Sequence, residues 1–404
     1  MNKSTFFTGQ PIFTQLLNFI PLTKVSKLAS ELKTDRYYKK FKTYDHLVTM
    51  LYTCFHGCKS LREVTTGMQV SFTQLNHLRM QCIPRRSTLS DANKVRNEAF
   101  FGKLYHGLYA YYYGNFPDSR KRKSMEERLF IIDSTTINLF SDVMKAMGMK
   151  PISGKRKGGA KAHMLIKADE GIPCFVDLTD GTKNDKVILK NVHLEPGSIV
   201  VFDKAYNSYA KMAQWNKDKV TWITRIRINT SYIAQGSNAL SANQVRRGVL
   251  ADENILMGRP SNKGTSKLVA RKITYRHAAS KRIFEFITNN MTISALTIAD
   301  IYKRRWQIEM LFKRIKQSYP LKYFLGDNEN AIKIQIWCSL ITDLLVKIVQ
   351  DKIRRKRWSY ANLTSMIRLH LMSYVNLFKF LNDPDKALID YRIQSNQPQL
   401  NLYT

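Results

Sequence analysis

Acidic side chains are what this sequence has least of: 31 Asp and Glu stand against 65 Lys and Arg, a formal net charge of +34 over 404 residues. A surplus that large repels itself in the compact state and is tolerated where a polyanion is the partner. Nucleic acid is the first candidate and an anionic membrane surface the second. A ribosome-associated or merely very basic protein is the plain alternative. Cysteine is scarce as well. The five thiols, Cys54, Cys58, Cys82, Cys174 and Cys338, are odd in number and form no CxxC spacing. That argues against a disulfide framework or a structural zinc site and points to a reducing compartment, the cytoplasm. Long apolar runs are missing too. The longest, Ile336–Val349, is too short to span a bilayer and carries Asp343 and Lys347, so it reads as a buried helix of a soluble protein. The N-terminal MNKSTFFTGQPIFTQ has no continuous apolar stretch of the kind a cleaved signal carries. No membrane partner is expected.

What is present is ordinary core material: 44% of residues are apolar, enough for two or three domains. Residues 1–118 read as a mostly helical domain. Helical apolar spacing runs through Pro11–Ile20 and Tyr44–Phe55, and Ser87–Asn93 offers cap residues ahead of a helical stretch at Val95–Tyr113. Scattered cations, among them Arg36, Lys39, Lys40, Lys42, Arg79, Arg85 and Arg86, suit a helical bundle that grips DNA, or a bundle with a solvated basic surface. The basic run Arg120–Lys123 reads as a linker. Beyond it, Leu129–Ile132, Met164–Ile166, Cys174–Leu178, Ile199–Phe202 and Val220–Ile226 read as strands. Gly154–Lys161 is a basic glycine-containing loop without the GxxxxGK[ST] order of a nucleotide-binding loop. Residues 229–289 read as a β-rich insertion with strands at Val269–Tyr275 and Arg282–Thr288. Helix resumes near Ser294, stops at Pro320, and returns from 328 to about Leu381.

Asp133 and Asp203 share a context, each closing a run of four apolar residues. A carboxylate at the end of a buried strand loses hydration and needs compensation, for which a divalent cation is well suited. Either acid could instead cap the turn that follows it. The segment Ile301–Lys316, IYKRRWQIEMLFKRIK, adds a third acid. Read as one helix, it brings Tyr302, Arg305, Glu309 and Lys316 inside an arc of roughly 60°, with Ile301, Ile308, Leu311, Phe312 and Ile315 on the adjoining arc. Such a face can put a carboxylate on metal and cations on phosphates. It can equally be a surface helix with an Arg305–Glu309 ion pair.

Y-x2-R-x3-E-x6-K, present as Tyr302, Arg305, Glu309 and Lys316, resembles the signature of the insertion sequence 4 family of bacterial DDE transposases. FIIDSTTI around Asp133, VVFDKAY around Asp203, the following WITRIR, and Asn328–Trp337 are similar to the corresponding segments of that family. The resemblance covers nearly the whole chain. It implies an α/β fold: a ribonuclease H-like catalytic core at 119–345 with the β-rich insertion before the glutamate. The helical domain at 1–118 precedes it, and a helical region at 346–404 follows as a candidate dimer contact. It implies a transposase that cuts at transposon ends and joins them to target DNA by cut-and-paste. A catalytically inactive DNA-binding relative and a stand-alone nuclease of the same fold are the alternatives.

In that reading Asp133, Asp203 and Glu309 hold two Mg²⁺ ions about 3.5–4 Å apart, Mn²⁺ being a substitute. Arg305 and Lys316 bind end phosphates, Tyr302 hydrogen-bonds one, and Lys161 and His163, ahead of a core strand, line the cleft. The partners are the terminal inverted repeats, target DNA and a second copy of the chain, in the bacterial cytoplasm at the nucleoid. In studied relatives a tryptophan of the insertion stacks on a flipped base. Here no Trp lies between Trp222 and Trp306, and Tyr275, Phe284 and Phe286 are the aromatics in its place.

Overall fold

The computed structural model describes residues 9–71, 76–113, 125–138, 159–180, 185–258, 267–353 and 358–389. The run Arg120–Lys123 and residues 154–158 of the basic loop lie outside the described residues. Among the described residues six α-helices come first: α1 (Ile12–Leu17), α2 (Leu22–Glu31), α3 (Thr43–His56), α4 (Leu61–Val70), α5 (Arg86–Val95) and α6 (Ala99–Tyr113). Strands β1 (Leu129–Asn138), β2 (Gly159–Lys167), β3 (Pro173–Asp180) and β4 (Ile199–Phe202) follow, then α7 (Tyr209–Lys217) and β5 (Thr221–Arg225). Next are β6 (Tyr232–Ser237), α8 (Ala242–Arg246), β7 (Val249–Met257), β8 (Leu268–Arg276) and β9 (Ile283–Thr288). The chain then runs through α9 (Ala295–Lys303), α10 (Trp306–Ser318), α11 (Glu329–Lys352), α12 (Tyr360–Leu369) and α13 (Leu377–Asn382). No described helix is long and apolar enough to cross a membrane.

Contacts divide the chain into two compact units. One comprises Met1–Phe116, Asn138–Gly158 and Arg314–Thr404, so the segment 314–345, expected with the catalytic domain, groups with the N-terminal helices. At its centre α11 packs on α3, α5, α6 and α12. Asn328 caps it, its side chain accepting from the Ala331 N–H at 2.9 Å. In the region 346–404 read as a candidate dimer contact, Val346, Val349, Leu363, Leu371 and Phe380 are buried within their own chain. Asp343, buried on α11, accepts two hydrogen bonds from Arg314, at 3.1 and 2.7 Å, and one from the Tyr360 hydroxyl, at 2.6 Å. Ser87–Asn93, read as cap residues, lie inside α5 instead. Burial of Leu89 and Ala92 outweighs the weaker helix propensity of Ser87, Thr88, Ser90 and Asp91.

The second unit, Pro117–Ile137 with Gly159–Lys313, is a mixed α/β body built on one sheet, whose nine strands among the described residues run in the order β3-β2-β1-β4-β5-β9-β8-β7-β6. Strands β1, β4 and β5 run parallel. The run Ile199–Phe202 is buried throughout, as a strand covered on both faces must be. One cluster around Trp215, Trp222 and Phe202 and another around Ile223, Ile273, Phe286 and Tyr302 form its core. The β-rich insertion is not a separate body. Strand β9 pairs antiparallel with β5 and carries β8, β7 and β6 outward on the same sheet.

Candidate active site

The parallel register of β1 and β4 ends on Ile132 opposite Phe202, so the next residues, Asp133 and Asp203, stand side by side. Asp203 directly follows its strand. Asp133 does not close its own, because β1 continues to Asn138. The expectation of two strand-end acids is corrected to one, the polar STT segment having enough β propensity to extend the strand. Asp203 caps the turn after β4, accepting from the Ala205 N–H at 3.0 Å, and its other oxygen takes Arg225 at 2.9 Å.

The third acid arrives on a different helix from the one expected. The segment 301–317 is broken between α9 and α10 at Arg304 and Arg305, so the single face drawn across it does not exist. Tyr302 belongs to α9, and Glu309 lies in the first turn of α10. Arg305, at the break, still serves both sides. It donates through Nη1 to Asp133 Oδ2 at 2.8 Å and through Nη2 to Glu309 Oε1 at 2.6 Å. Tyr302 is buried against Phe286, ring centroids 4.8 Å apart, with the Arg225 and Arg305 guanidiniums each 5.9 Å from its ring.

Burial pushes the Asp133 carboxyl up to about 6; the Ser134 N–H and Arg305 oppose this, while the charges of Asp203 and Glu309 add to it. Asp203 is also penalised by burial, but the Ala205 N–H and Arg225 outweigh that and hold it below the ordinary carboxylate range. Burial raises Tyr302 as well. Among the described residues no three His, Cys, Asp or Glu side chains are gathered closely enough to hold a metal ion as they stand. The arginines account for this, Arg305 drawing on Asp133 and Glu309 and Arg225 on Asp203. The donor chemistry fits a divalent cation all the same: three carboxylates, two of which raise the pKa of Asp133, with positive charge already held against them.

The remaining expected residues fall elsewhere. Lys161 pairs with Asp185 at 2.8 Å. His163, two residues on along β2, is fully buried, with Thr179 Oγ1 at 3.0 Å from Nε2 and Asp185 at 3.7 Å from Nδ1. Burial holds its imidazole below the usual range. It has no surface to offer DNA, which corrects its expected place in a cleft wall: β2 is buried on both faces here, Ala162 and Met164 as well as His163. Lys316 lies on the last turns of α10, half-buried, its ammonium lowered by burial. Phe286 is core and Phe284 stacks on it, interplanar angle 3°. Sequence reading missed Arg225 and Asp185. A cation in the apolar strand WITR signals Arg225. Asp185 carries no local signal.

Residues 124–342 match the model of the transposase DDE domain, more than half of the chain. The chain belongs to that family. It is a bacterial insertion-sequence DDE transposase by family, an enzyme of the nuclease and transesterase kind that acts in DNA transposition, and divalent metal ions are general to the family. Residues 8–81 match a second model, a domain of unknown function, DUF4372. The transposase named y4zB of Sinorhizobium fredii is 32% identical over 267 residues, 66% of this chain and 71% of the relative. The transposase of insertion sequence element IS4SA from Synechocystis is 26% identical, over 72% of this chain and 78% of that one. Among solved structures, a piggyBac transposase synaptic complex with hairpin DNA covers 98% of this chain and 84% of its own at TM-score 0.43 and 12% identity.

Proposed function

We propose that Asp133, Asp203 and Glu309 are the catalytic acids of a cut-and-paste transposase and that Mg²⁺ is the cation they hold, with Mn²⁺ able to replace it. The observation that carries this reading is Arg305, one guanidinium donating to both Asp133 and Glu309 while Asp203 stands beside Asp133. Bound divalent cations supply a water of lowered pKa and charge stabilisation at the leaving oxygen. The chain supplies the rest. Asp133 and Asp203 present oxygens from adjacent parallel strands, and Glu309 closes the set from α10. Arg305 and Arg225, released from the carboxylates, turn to the phosphates of the bound transposon end. Tyr302, packed between the two guanidiniums, fixes where they pivot, and Lys316 adds a phosphate contact further along the helix.

The core is read as ribonuclease H-like, in support of which stand the three parallel strands flanked by the antiparallel β2–β3 pair. Cleavage at the terminal inverted repeats and joining to target DNA take place in the cytoplasm, by at least two chains, because two ends must meet one target. A mixture of the purified chain, Mg²⁺ and duplex carrying the element's own ends tests the reading. Asp133→Asn, Asp203→Asn and Glu309→Gln are each expected to abolish cleavage and strand transfer while end binding persists. Normal turnover by any of them removes that residue from the site, and cleavage without joining reduces the enzyme to a nuclease.

A further inference from the structure

The N-terminal 8–81 region has no assigned function, yet one face of it is built as a site. The loop 33–42, KTDRYYKKFK, carries five cations and one acid. Its underside is over-determined. Buried Arg96 donates to the Phe41 carbonyl at 2.8 Å and lies over the Tyr38 ring at 4.6 Å. Asp35 accepts from both the N–H and the hydroxyl of Thr43, each at 2.6 Å. Its upper side is the reverse. Tyr37 is 85% exposed, and the Arg36 guanidinium sits 4.8 Å above its ring. Beside the loop opens a cleft of about 690 Å³ whose cations include Lys33, Arg36, Lys42 and Arg79. Its two acids are spent on the fold: Asp35 as above, and Asp45 on the N–H groups of Lys42 and Gln81 at 3.1 and 2.9 Å. No carboxylate pairs with Lys33, Arg36 or Arg79 among the described residues.

The backbone repeats the message. Lys33, Tyr37 and Arg79 hold φ of 51°, 71° and 56°, a region that side chains of this size rarely adopt. A fold that keeps two such residues, Lys33 and Arg79, in the cleft wall and a third, Tyr37, on the loop beside it, with its acids turned inward and its cations outward, holds those cations in fixed positions at a cost in stability. Fixed, unpaired cations beside an exposed aromatic ring suit a regular row of phosphates and the sugars between them.

We propose that this loop and Arg79 form a second DNA-binding site, distinct from the acids of the sheet, which grips the sugar–phosphate backbone of duplex DNA and reads no sequence. The proposal rests on the transposase reading for the identity of the polyanion. The full chain is titrated with two duplexes, one carrying the element's ends and one unrelated, at several salt concentrations, and separately with anionic phospholipid vesicles. Arg36→Ala with Arg79→Ala is expected to weaken both duplexes alike, by on the order of 10- to 60-fold at 0.1 M salt. Two lost phosphate contacts lower the slope of log affinity against log salt by about 1.8. Arg36→Lys with Arg79→Lys keeps the slope, and Tyr37→Ala costs several-fold on both duplexes. Equal affinity and slope in the double alanine variant overturn the site while leaving the acids untouched. A loss confined to the element's ends overturns the claim that no sequence is read. A loss seen only with vesicles replaces DNA by a membrane. A wild-type chain that binds neither duplex removes this site and the transposase reading together.

Discussion

Arg305 and Asp133 are 172 residues apart in the chain, and their side chains meet at 2.8 Å. The free energy of that contact is tied to a second one, because the same guanidinium also holds Glu309. Both acids are largely shielded from water, at 17% and 32% side-chain exposure. Their repulsion is therefore little screened when the cation goes.

Arg305→Ala should therefore destabilise the metal-free protein by about 1–3 kcal/mol at pH 7, the scale of losing hydrogen bonds to charged groups. In an Asp133→Asn, Glu309→Gln background the same substitution should cost much less. Urea unfolding of the four proteins measures the difference. An undiminished cost in that background means the acids are not what holds the arginine.

The two aspartates should respond to acid with opposite signs. Burial pushes Asp133 up to about 6 in the fold from an ordinary 3.8, so the folded state binds its proton more tightly. Stability is lost as pH rises from about 4 to about 6. Asp133→Asn should consequently unfold later than wild type at pH 7, by on the order of 2 kcal/mol, with no advantage at pH 3.5. Asp203 is shifted down. Its contribution is present above the ordinary carboxylate range and lost as pH falls through its folded pKa, so Asp203→Asn should unfold earlier at pH 7. Thermal unfolding in chelator-containing buffer checks both, and a shared sign refutes the assignment.

Asp185 accepts from the Ser134 hydroxyl at 2.8 Å and pairs with Lys161 at 2.8 Å, while the Ser134 N–H donates to Asp133. It therefore orients an acid it does not touch. Asp185→Asn should slow cleavage about 10-fold, as loss of an outer partner of a metal ligand commonly does. DNA affinity should stay as in wild type. A rate within twofold of wild type would leave Asp185 a purely structural role.

In the helical unit Asp343 should be far less tolerant. Removing its charge leaves Arg314 and two tyrosines facing a half-made network. Asp343→Asn is expected to cost about 3–5 kcal/mol. Hydrogen exchange along Glu329–Lys352 should accelerate accordingly, and unchanged protection there contradicts the network's importance.

Which of these features could be read beforehand depends on how local their causes are. FIID and VVFD announce buried apolar runs closed by a charge; Asp203 ends its strand as that run suggests, while β1 runs on past Asp133 to Asn138. Glu309 was legible through its spacing to Arg305, a contact that survives because four residues still span it. The break at Arg304 was not, since IYKRRW contains no Gly or Pro to punctuate it. Arg225 and Asp185 escaped for a different reason. Their partners are chosen by the pairing of β1, β4 and β5 and by a return loop, neither of which has a periodic trace in the chain. Pairing of β9 with β5, 60-odd residues apart, is equally invisible in the periodicity of either strand.

That last pairing leaves the molecule a seam along which it can change. Ile223–Arg225 and Phe286–Thr288 form a fixed hem, from which the chain departs after β5 and to which it returns before α9. Whatever is sewn on between them hangs from the outer edge, as β6 to β8 do, and the stitch from which Glu309's helix departs stays in place. Lineages carrying this framework are free to lengthen or restyle that outer panel without retailoring the three acids.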